Sequence, residues 1–217
     1  ESPSADVLSH VGSFLVDLGL YERAIHYFNR ALELNPNLMM AYENRTSCYR
    51  HLARFEDALS SNREAIARKD NNLKLRFMEV RLLLHQGNIQ PAEKLLDSLA
   101  GIEPENASIP LIRAWISAFR GEKGAALAVI ENHDDPLYIS NLMTDIYCLL
   151  DEKDKAIANI RRGINEGFER LQTDLYHYVY LLNNPFLDSI RDDSLFQDIL
   201  GEQEAKHLIY LREYGDL

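Results

Sequence analysis

Small residues recur every 34 positions along this chain, and this period constrains the fold more than any other feature. Two columns of small side chains keep the spacing. They are Gly19, Ala53, Gly87 and Gly121, and Ala24, Ala58, Ala92 and Ala126. A period of this length is typical of a repeat architecture, in which each unit buries its apolar face against the next unit.

Each unit predicts two helices joined by a turn. In the first unit, Leu8 and Leu15 lie on one apolar face, and Gly19 then interrupts the helical spacing. The spacing resumes from Ala24 to Leu32, and Pro36 follows the end of the second helix. We expect the alanine column to lie where the two helices cross. We expect the column that begins with Gly19 to lie in the turns, where a positive φ is easiest for glycine.

This pattern resembles the tetratricopeptide repeat, a helix–turn–helix unit of 34 residues. In the first unit the resemblance is carried by Gly12, Leu15, Gly19, Tyr21, Ala24, Phe28, Ala31 and Pro36. It extends over roughly residues 5–168 and is strongest in the first two units, while the fifth unit resumes four residues early. The resemblance implies an all-α fold, a right-handed α-solenoid superhelix of about five helix pairs with the first helix of each pair on the concave side.

The period fails beyond Gly167, which divides the chain into a solenoid at 1–168 and a C-terminal helical cap at 169–217. Residues 183–196 resemble the closing segment that follows such repeats in many bacterial multidomain proteins. We expect Ser194 to cap a last helix, and Phe196 and Ile199 to pack on the preceding repeat. The cap would then close the end of the stack.

The charge balance excludes several classes of partner. The chain has 23 Lys and Arg against 34 Asp and Glu, a formal net charge of −11. Such a surface repels phosphate, so we expect no direct binding to nucleic acid or to an anionic membrane. Cys48 and Cys148 fit a reducing compartment, and no apolar run approaches the ~20 residues of a membrane span. These observations predict a cytoplasmic protein.

The sequence carries no recognisable catalytic or metal-binding motif. Its histidines and cysteines lack zinc-ligand spacing, and it has neither a phosphate-binding glycine loop nor a nucleophile elbow. We therefore predict no enzyme activity, no cofactor and no metal site.

The concave face is instead expected to carry cations beside aromatic rings and to bind a partner protein. The residues predicted to line this groove are Asn44, Arg50, Lys74, Arg81, His85, Trp115 and Phe119. A cationic, aromatic groove suits an extended acidic peptide. The alternative is that these are ordinary solvated side chains, with Trp115 packed internally. The sequence predicts no oligomeric state.

Some tetratricopeptide proteins hold a chain-terminal carboxylate with a five-residue clamp of Lys, Asn, Asn, Lys and Arg. By register, this chain has Asn44 and Lys74 at two of those positions, with Ser9, Ser13 and Met78 at the others. Chaperone-tail recognition of that type is therefore not predicted.

A second function class is the sensory or regulatory half of a larger bacterial transcription regulator or signalling enzyme. The closing segment and the absence of an initiator Met before Glu1 motivate this alternative. It expects an effector domain upstream of the repeats.

Overall fold

The computed structural model describes residues 3–68, 72–134, 139–171 and 176–216, with the side chains of all of these except 168–171. Within these ranges the regular elements are helices, and the predicted all-α fold is confirmed. The helices are α1 (Ala5–Asp17), α2 (Tyr21–Leu34), α3 (Met39–His51), α4 (Phe55–Arg68), α5 (Leu73–His85), α6 (Ile89–Ile102), α7 (Ser108–Phe119), α8 (Lys123–Ile130), α9 (Ser140–Leu149), α10 (Lys153–Leu171), α11 (Tyr178–Asn183), a 3-10 helix (Pro185–Ile190) and α12 (Ser194–Tyr214).

In the described part of the chain, α1 to α10 pack as five consecutive helix pairs, and neighbouring pairs pack on one another. The alanine column explains how closely the paired helices approach. Ala24, Ala58, Ala92 and Ala126 are fully inaccessible to solvent, as is Ala156 in the fifth pair. A larger side chain at these positions would hold the two helices apart, so the column is a packing requirement of the repeat.

The turn inside each pair adopts a left-handed backbone conformation, as predicted for the first four. The five values of φ are 70° at Gly19, 55° at Ala53, 72° at Gly87, 73° at Gly121 and 57° at Asp151. Glycine reaches this region freely, whereas an L-residue with a Cβ is strained there. The second and fifth pairs therefore make the same turn at a cost that the other three avoid.

Substitution at two of these turns should change stability in opposite directions. Ala53→Gly should stabilise the protein by about 0.5–1 kcal/mol, because relief of the left-handed strain exceeds the extra freedom glycine gains when unfolded. Gly87→Ala should destabilise it by about 1 kcal/mol through strain alone. An added Cβ at Gly87 would meet no atom within 4 Å. Urea unfolding midpoints measure both changes, and two shifts of the same sign would refute the explanation.

The C-terminal residues share a core with the later helix pairs. One apolar cluster is formed mainly by the first two pairs, from Leu8 to Leu75, and a larger one extends from Phe77 to Ile199. The larger cluster includes Tyr180 and Leu187, which follow the repeats. Residues after the repeats are therefore part of the main core.

Helix α12 connects the two ends of the stack. Asp193 caps it, since its carboxylate accepts a hydrogen bond from the backbone N–H of Leu195 at 2.8 Å, one residue before the predicted cap Ser194. Phe196 packs in the core near its start, as predicted, while Tyr214 near its end meets Phe14 of α1 with ring centroids 5.4 Å apart. At 1.5 Å per residue, a helix of 21 residues spans about 30 Å.

Candidate functional site

The first helices of the pairs line up along one side of the stack, which we call the inner face. It is formed by α1, α3, α5, α7 and α9. The seven residues predicted to line a groove all lie on α3, α5 and α7. The structure divides them between a covered part and an open part of this face.

Residues Tyr176–Ile190, which we call the inner segment, cover part of the inner face. His177 packs against Tyr21 with ring centroids 5.7 Å apart, and Tyr180 packs against His51 at 5.3 Å. A Cβ added to Gly19 would lie 2.7 Å from Nδ1 of His177, so the first interhelical turn also touches this segment. The C-terminal residues thus reach back to the first repeat, in addition to packing on the last one.

Phe186 occupies the aromatic part of the predicted groove. Its ring lies 5.6 Å from His85, 5.7 Å from Trp115 and 5.9 Å from Phe119, measured between centroids. His85 is 8% exposed and Trp115 only 1%. The expectation that these rings face an open groove is corrected, because the chain supplies its own aromatic side chain there. Their part in binding a partner stays a prediction.

A buried polar cluster joins the inner segment to α9. The Nδ2 group of Asn184 donates to Oδ1 of Asp145 at 2.8 Å and lies 2.9 Å from the Tyr180 hydroxyl. Burial raises the pKa of Asp145 to about 7, although Asn184 and the guanidinium groups of Arg50 and Arg81 act to lower it. The carboxyl group therefore titrates near neutral pH in the folded protein.

Asp145→Asn should change how stability depends on pH. The folded-state pKa of Asp145 lies above the unfolded value of about 4. The contribution of this carboxyl group to the free energy of unfolding therefore falls as pH rises from about 4 to 7. Burial lowers the pKa of His51 and His85, so those two side chains act in the opposite sense below about pH 6.5. The difference in the free energy of unfolding between variant and wild type at each pH isolates the contribution of the Asp145 carboxyl group, because the histidines are the same in both.

Relative to wild type, Asp145→Asn should gain stability from pH 5 to pH 8, by an upper limit of about 3 kcal/mol. Urea unfolding at several pH values measures this difference. Asp192→Asn, at an exposed position, is the matched control and should give a profile parallel to wild type. A parallel profile for Asp145→Asn as well would refute the assignment.

The inner segment is too deeply buried to leave the inner face while the protein stays folded. Five of its side chains are at most 2% exposed: Tyr176, Tyr180, Leu181, Leu187 and Ile190. At about 1.5–3 kcal/mol for each large apolar side chain, their burial contributes on the order of 8–15 kcal/mol. That equals the whole stability of a typical domain, about 5–15 kcal/mol. We therefore expect this segment to stay on the inner face in the folded protein.

Two neighbouring pockets formed by described residues open on the inner face. One, of about 160 Å³, lies between α3 and α5 and is lined by Glu43, Asn44, Thr46, Asn62, Lys74, Leu75 and Met78. The other, of about 220 Å³, lies among α5, α7 and α9 and is lined by Arg81, Ser108, Leu111, Ile112, Trp115, Ile139, Asn141 and Leu142. Lys74, Met78 and Arg81 follow one another at helical spacing on a single face of α5, so the pockets adjoin along that helix. We call the two together the open row.

Two of the predicted groove residues, Asn44 and Lys74, lie in the first pocket with polar partners nearby. Asn44 donates from Nδ2 to the hydroxyl of Ser13 at 3.0 Å. Lys74 pairs with Glu43 at 2.6 Å while its side chain is 72% exposed. An exposed ion pair contributes only about 0–1 kcal/mol, so Lys74 can exchange this partner for another carboxylate at little cost.

Chemistry other than binding receives no support from the described residues. Among them, no group of three or more His, Cys, Asp or Glu side chains is placed to hold a metal ion. Cys48 and Cys148 are buried free thiols, and burial raises the pKa of both. None of the described helices combines the length and the apolar character needed to cross a bilayer.

The helix-pair stack is similar in fold to solved tetratricopeptide-repeat proteins. A family model described as tetratricopeptide repeat matches residues 5–38, the first helix pair. A tetratricopeptide-repeat protein from Parabacteroides merdae has a similar structure over 94% of this chain and 84% of its own, with a TM-score of 0.57 and 14% identity. Another, from Thermus thermophilus, is similar over 78% of this chain and 94% of its own, with a TM-score of 0.54 and 21% identity. Residues 5–38 thus match the tetratricopeptide repeat, and the fold implied by the resemblance is confirmed.

Part of this chain is also similar in sequence to a named protein. The protein STIP1 homolog of Dictyostelium discoideum is 32% identical over 89 residues, which are 41% of this chain and 16% of that protein. The chain therefore corresponds to a small part of the length of this relative.

Sequence reasoning missed three lining residues of the second pocket: Ile139, Asn141 and Leu142. They belong to the fifth pair, which resumes four residues early and so falls outside the 34-residue columns. Sequence reasoning also places Phe186 in the C-terminal cap, whereas the structure places its ring on the inner face. The sequence Asn184-Pro185-Phe186 was noticed as a closing segment, but periodicity says nothing about which surface such a segment covers.

Proposed function

We propose that this chain is a protein-interaction module that binds an extended segment of a partner protein along the open row. The observation that carries the proposal is that two adjoining pockets stay accessible on one face of α5, although the chain's own C-terminal residues cover the aromatic part of the inner face. Tetratricopeptide proteins are typically non-enzymatic scaffolds, and this chain is proposed to act as one.

The charges of the open row favour an acidic segment. Lys74 and Arg81 lie on the same face of α5 in a protein whose net charge is −11. A partner carboxylate could replace Glu43 as the ion-pair partner of Lys74, while most of the remaining surface would repel it. Binding should then weaken with salt, because exposed charges are screened over about 8–10 Å at physiological ionic strength.

The inner face is already suited to hold polypeptide, since it does so within the chain. The inner segment crosses it with rings packed edge-to-face against His51 and Trp115 and with a polar side chain bonded to α9. Apolar contact combined with a few fixed polar bonds is how grooves generally recognise extended segments. The open row offers the same combination without an occupant from the described residues.

The test is to identify a partner by affinity purification and then to measure its direct binding with both proteins purified. Lys74→Glu should weaken binding about tenfold at low salt without changing the melting temperature, because Lys74 is exposed. Arg30→Glu is the matched control, since Arg30 is exposed on the second helix α2 and should have no effect. Equal effects of the two substitutions would contradict the proposal. Chemical crosslinking of the complex would contradict it too, if the partner were crosslinked only to α2, α4 and α6.

A further inference from the structure

The pocket among α5, α7 and α9, which we call the α7 pocket, is mainly apolar. Its walls include Leu111, Ile112, Ile139 and Leu142. Its volume is about 220 Å³. A buried apolar cavity of about 150 Å³ is large enough for a benzene molecule, so the α7 pocket has room for one leucine, methionine or phenylalanine side chain.

Two buried polar atoms in the lining residues lack hydrogen-bond partners among the described residues. They are Nε1 of Trp115, which is a donor, and Oδ1 of Asn141, which is an acceptor. Buried polar atoms are nearly always hydrogen-bonded in native proteins, and each exception calls for an explanation, such as a bound water, ion or ligand. The α7 pocket therefore combines apolar volume with one unused donor and one unused acceptor.

An extended peptide supplies the complement of all three features. Each residue of such a segment carries a C=O that can accept from an indole N–H, an N–H that can donate to a side-chain carbonyl, and a side chain that can enter a pocket. The pocket is also continuous along α5 with the one that contains Lys74. A segment lying along the open row would pass over both.

We propose that the α7 pocket binds a single apolar side chain of the partner segment, while Trp115 and Asn141 bond to the backbone next to that side chain. This inference rests on the proposed function and adds the identity of the anchoring group. In this arrangement the carboxylates of the segment give attraction toward Lys74 and Arg81, and the apolar residue fixes its position. Ser108 lies at the wall of the pocket, half-buried, and offers a site for blocking it.

The probe is a fluorescein-labelled peptide with blocked ends, acetyl-Gly-Asp-Ser-Leu-Ser-Asp-Gly-amide, measured by polarisation. Replacing its leucine by serine should weaken binding at least tenfold, because the pocket is then left unfilled. Methylating the leucine backbone nitrogen removes the proposed N–H donor and should weaken binding about fivefold. The intrinsic fluorescence of Trp115, the only tryptophan of the chain, should change with the leucine peptide and much less with the serine peptide.

Protein variants locate the effect. Asn141→Ala should abolish the difference between methylated and unmethylated peptides, as expected if the two groups bond to each other. Ser108→Phe should fill the pocket and weaken binding of the leucine peptide at least tenfold. Ser98→Phe, at an exposed position on α6, is its control and should have no effect.

Each outcome has a defined meaning. If leucine and serine peptides bind equally while Lys74→Glu still abolishes binding, the anchoring inference is wrong and the proposed function stands. If neither peptide binds and no purified partner binds directly, both are wrong. If Ser108→Phe fails to fold, the comparison of the two peptides on the wild-type protein still decides the inference.

Discussion

Removal of residues 184–217 should leave a chain that no longer holds its native fold and that aggregates on warming. The deletion takes away Leu187, Ile190, Phe196 and Ile199, each at most 1% exposed in the intact protein. At about 1.5–3 kcal/mol per buried side chain, the loss is on the order of 6–12 kcal/mol, comparable to the whole stability of a domain. Circular dichroism melting and size-exclusion chromatography measure the effect.

A shorter deletion provides the control for this truncation. Removing only residues 211–217 eliminates the contact of Tyr214 with Phe14 but none of the four buried side chains. It should lower the melting temperature by a few degrees at most and leave a monodisperse protein. If the longer truncation were equally soluble and stable, the C-terminal residues would have no structural role.

Phe196→Ala should destabilise the protein by about 3–5 kcal/mol, the second largest effect that we expect. The Phe196 ring is inaccessible to solvent in the core shared by α10, α12 and the inner segment, so truncation leaves a cavity as well as losing burial. Guanidinium unfolding, with the midpoint and slope fitted together, measures the change.

The adjacent residue is the matched control for Phe196. Leu195 is 61% exposed, so Leu195→Ala should cost less than about 1 kcal/mol. The structure separates the two residues because α12 turns Phe196 toward the core and Leu195 toward solvent. Similar effects of the two substitutions would show that the helix is rotated relative to the structure.

The repeats were predictable because the cause of the pattern is local. A turn with positive φ and a crossing point with no room beyond Cβ recur in each unit, and both restrict residue type wherever they occur. Ala53 shows the limit of this logic, since the turn forms there without glycine. The periodic signal was strong because four successive units satisfy the same two requirements.

The path of the C-terminal residues was not predictable, because it depends on contacts between distant parts of the chain. Nothing near Phe186 in sequence indicates that its ring meets His85 and Trp115, about 100 and 70 residues earlier. The same apolar residues would suit either a cap on the last repeat or a segment along the inner face, so the sequence does not distinguish these two placements. The division into a solenoid at 1–168 and a cap at 169–217 stays a prediction, and the packing of Tyr176–Ile190 on the inner face adds a contact that it did not include.

Comparison of the sequence with the structure also distinguishes among the seven predicted groove residues by their surroundings in the fold. Arg50 and Arg81 lower the pKa of the buried Asp145, so their charges already act within the protein. Asn44, Lys74 and Arg81 line the open row, and the role that the sequence predicts for them stays a proposal. Exposure, which sequence patterns do not reveal for long polar side chains, makes the difference.

The central claim is that the chain's own C-terminal residues fill the aromatic part of the inner face. Because the chain has one tryptophan, the indole N–H of Trp115 gives a single resolved proton signal, which can be assigned directly. The account predicts a nuclear Overhauser contact between the indole of Trp115 and an aromatic ring that disappears in Phe186→Leu, since the two rings are 5.7 Å apart. An indole of Trp115 that shows no contact to the ring of Phe186 would contradict it.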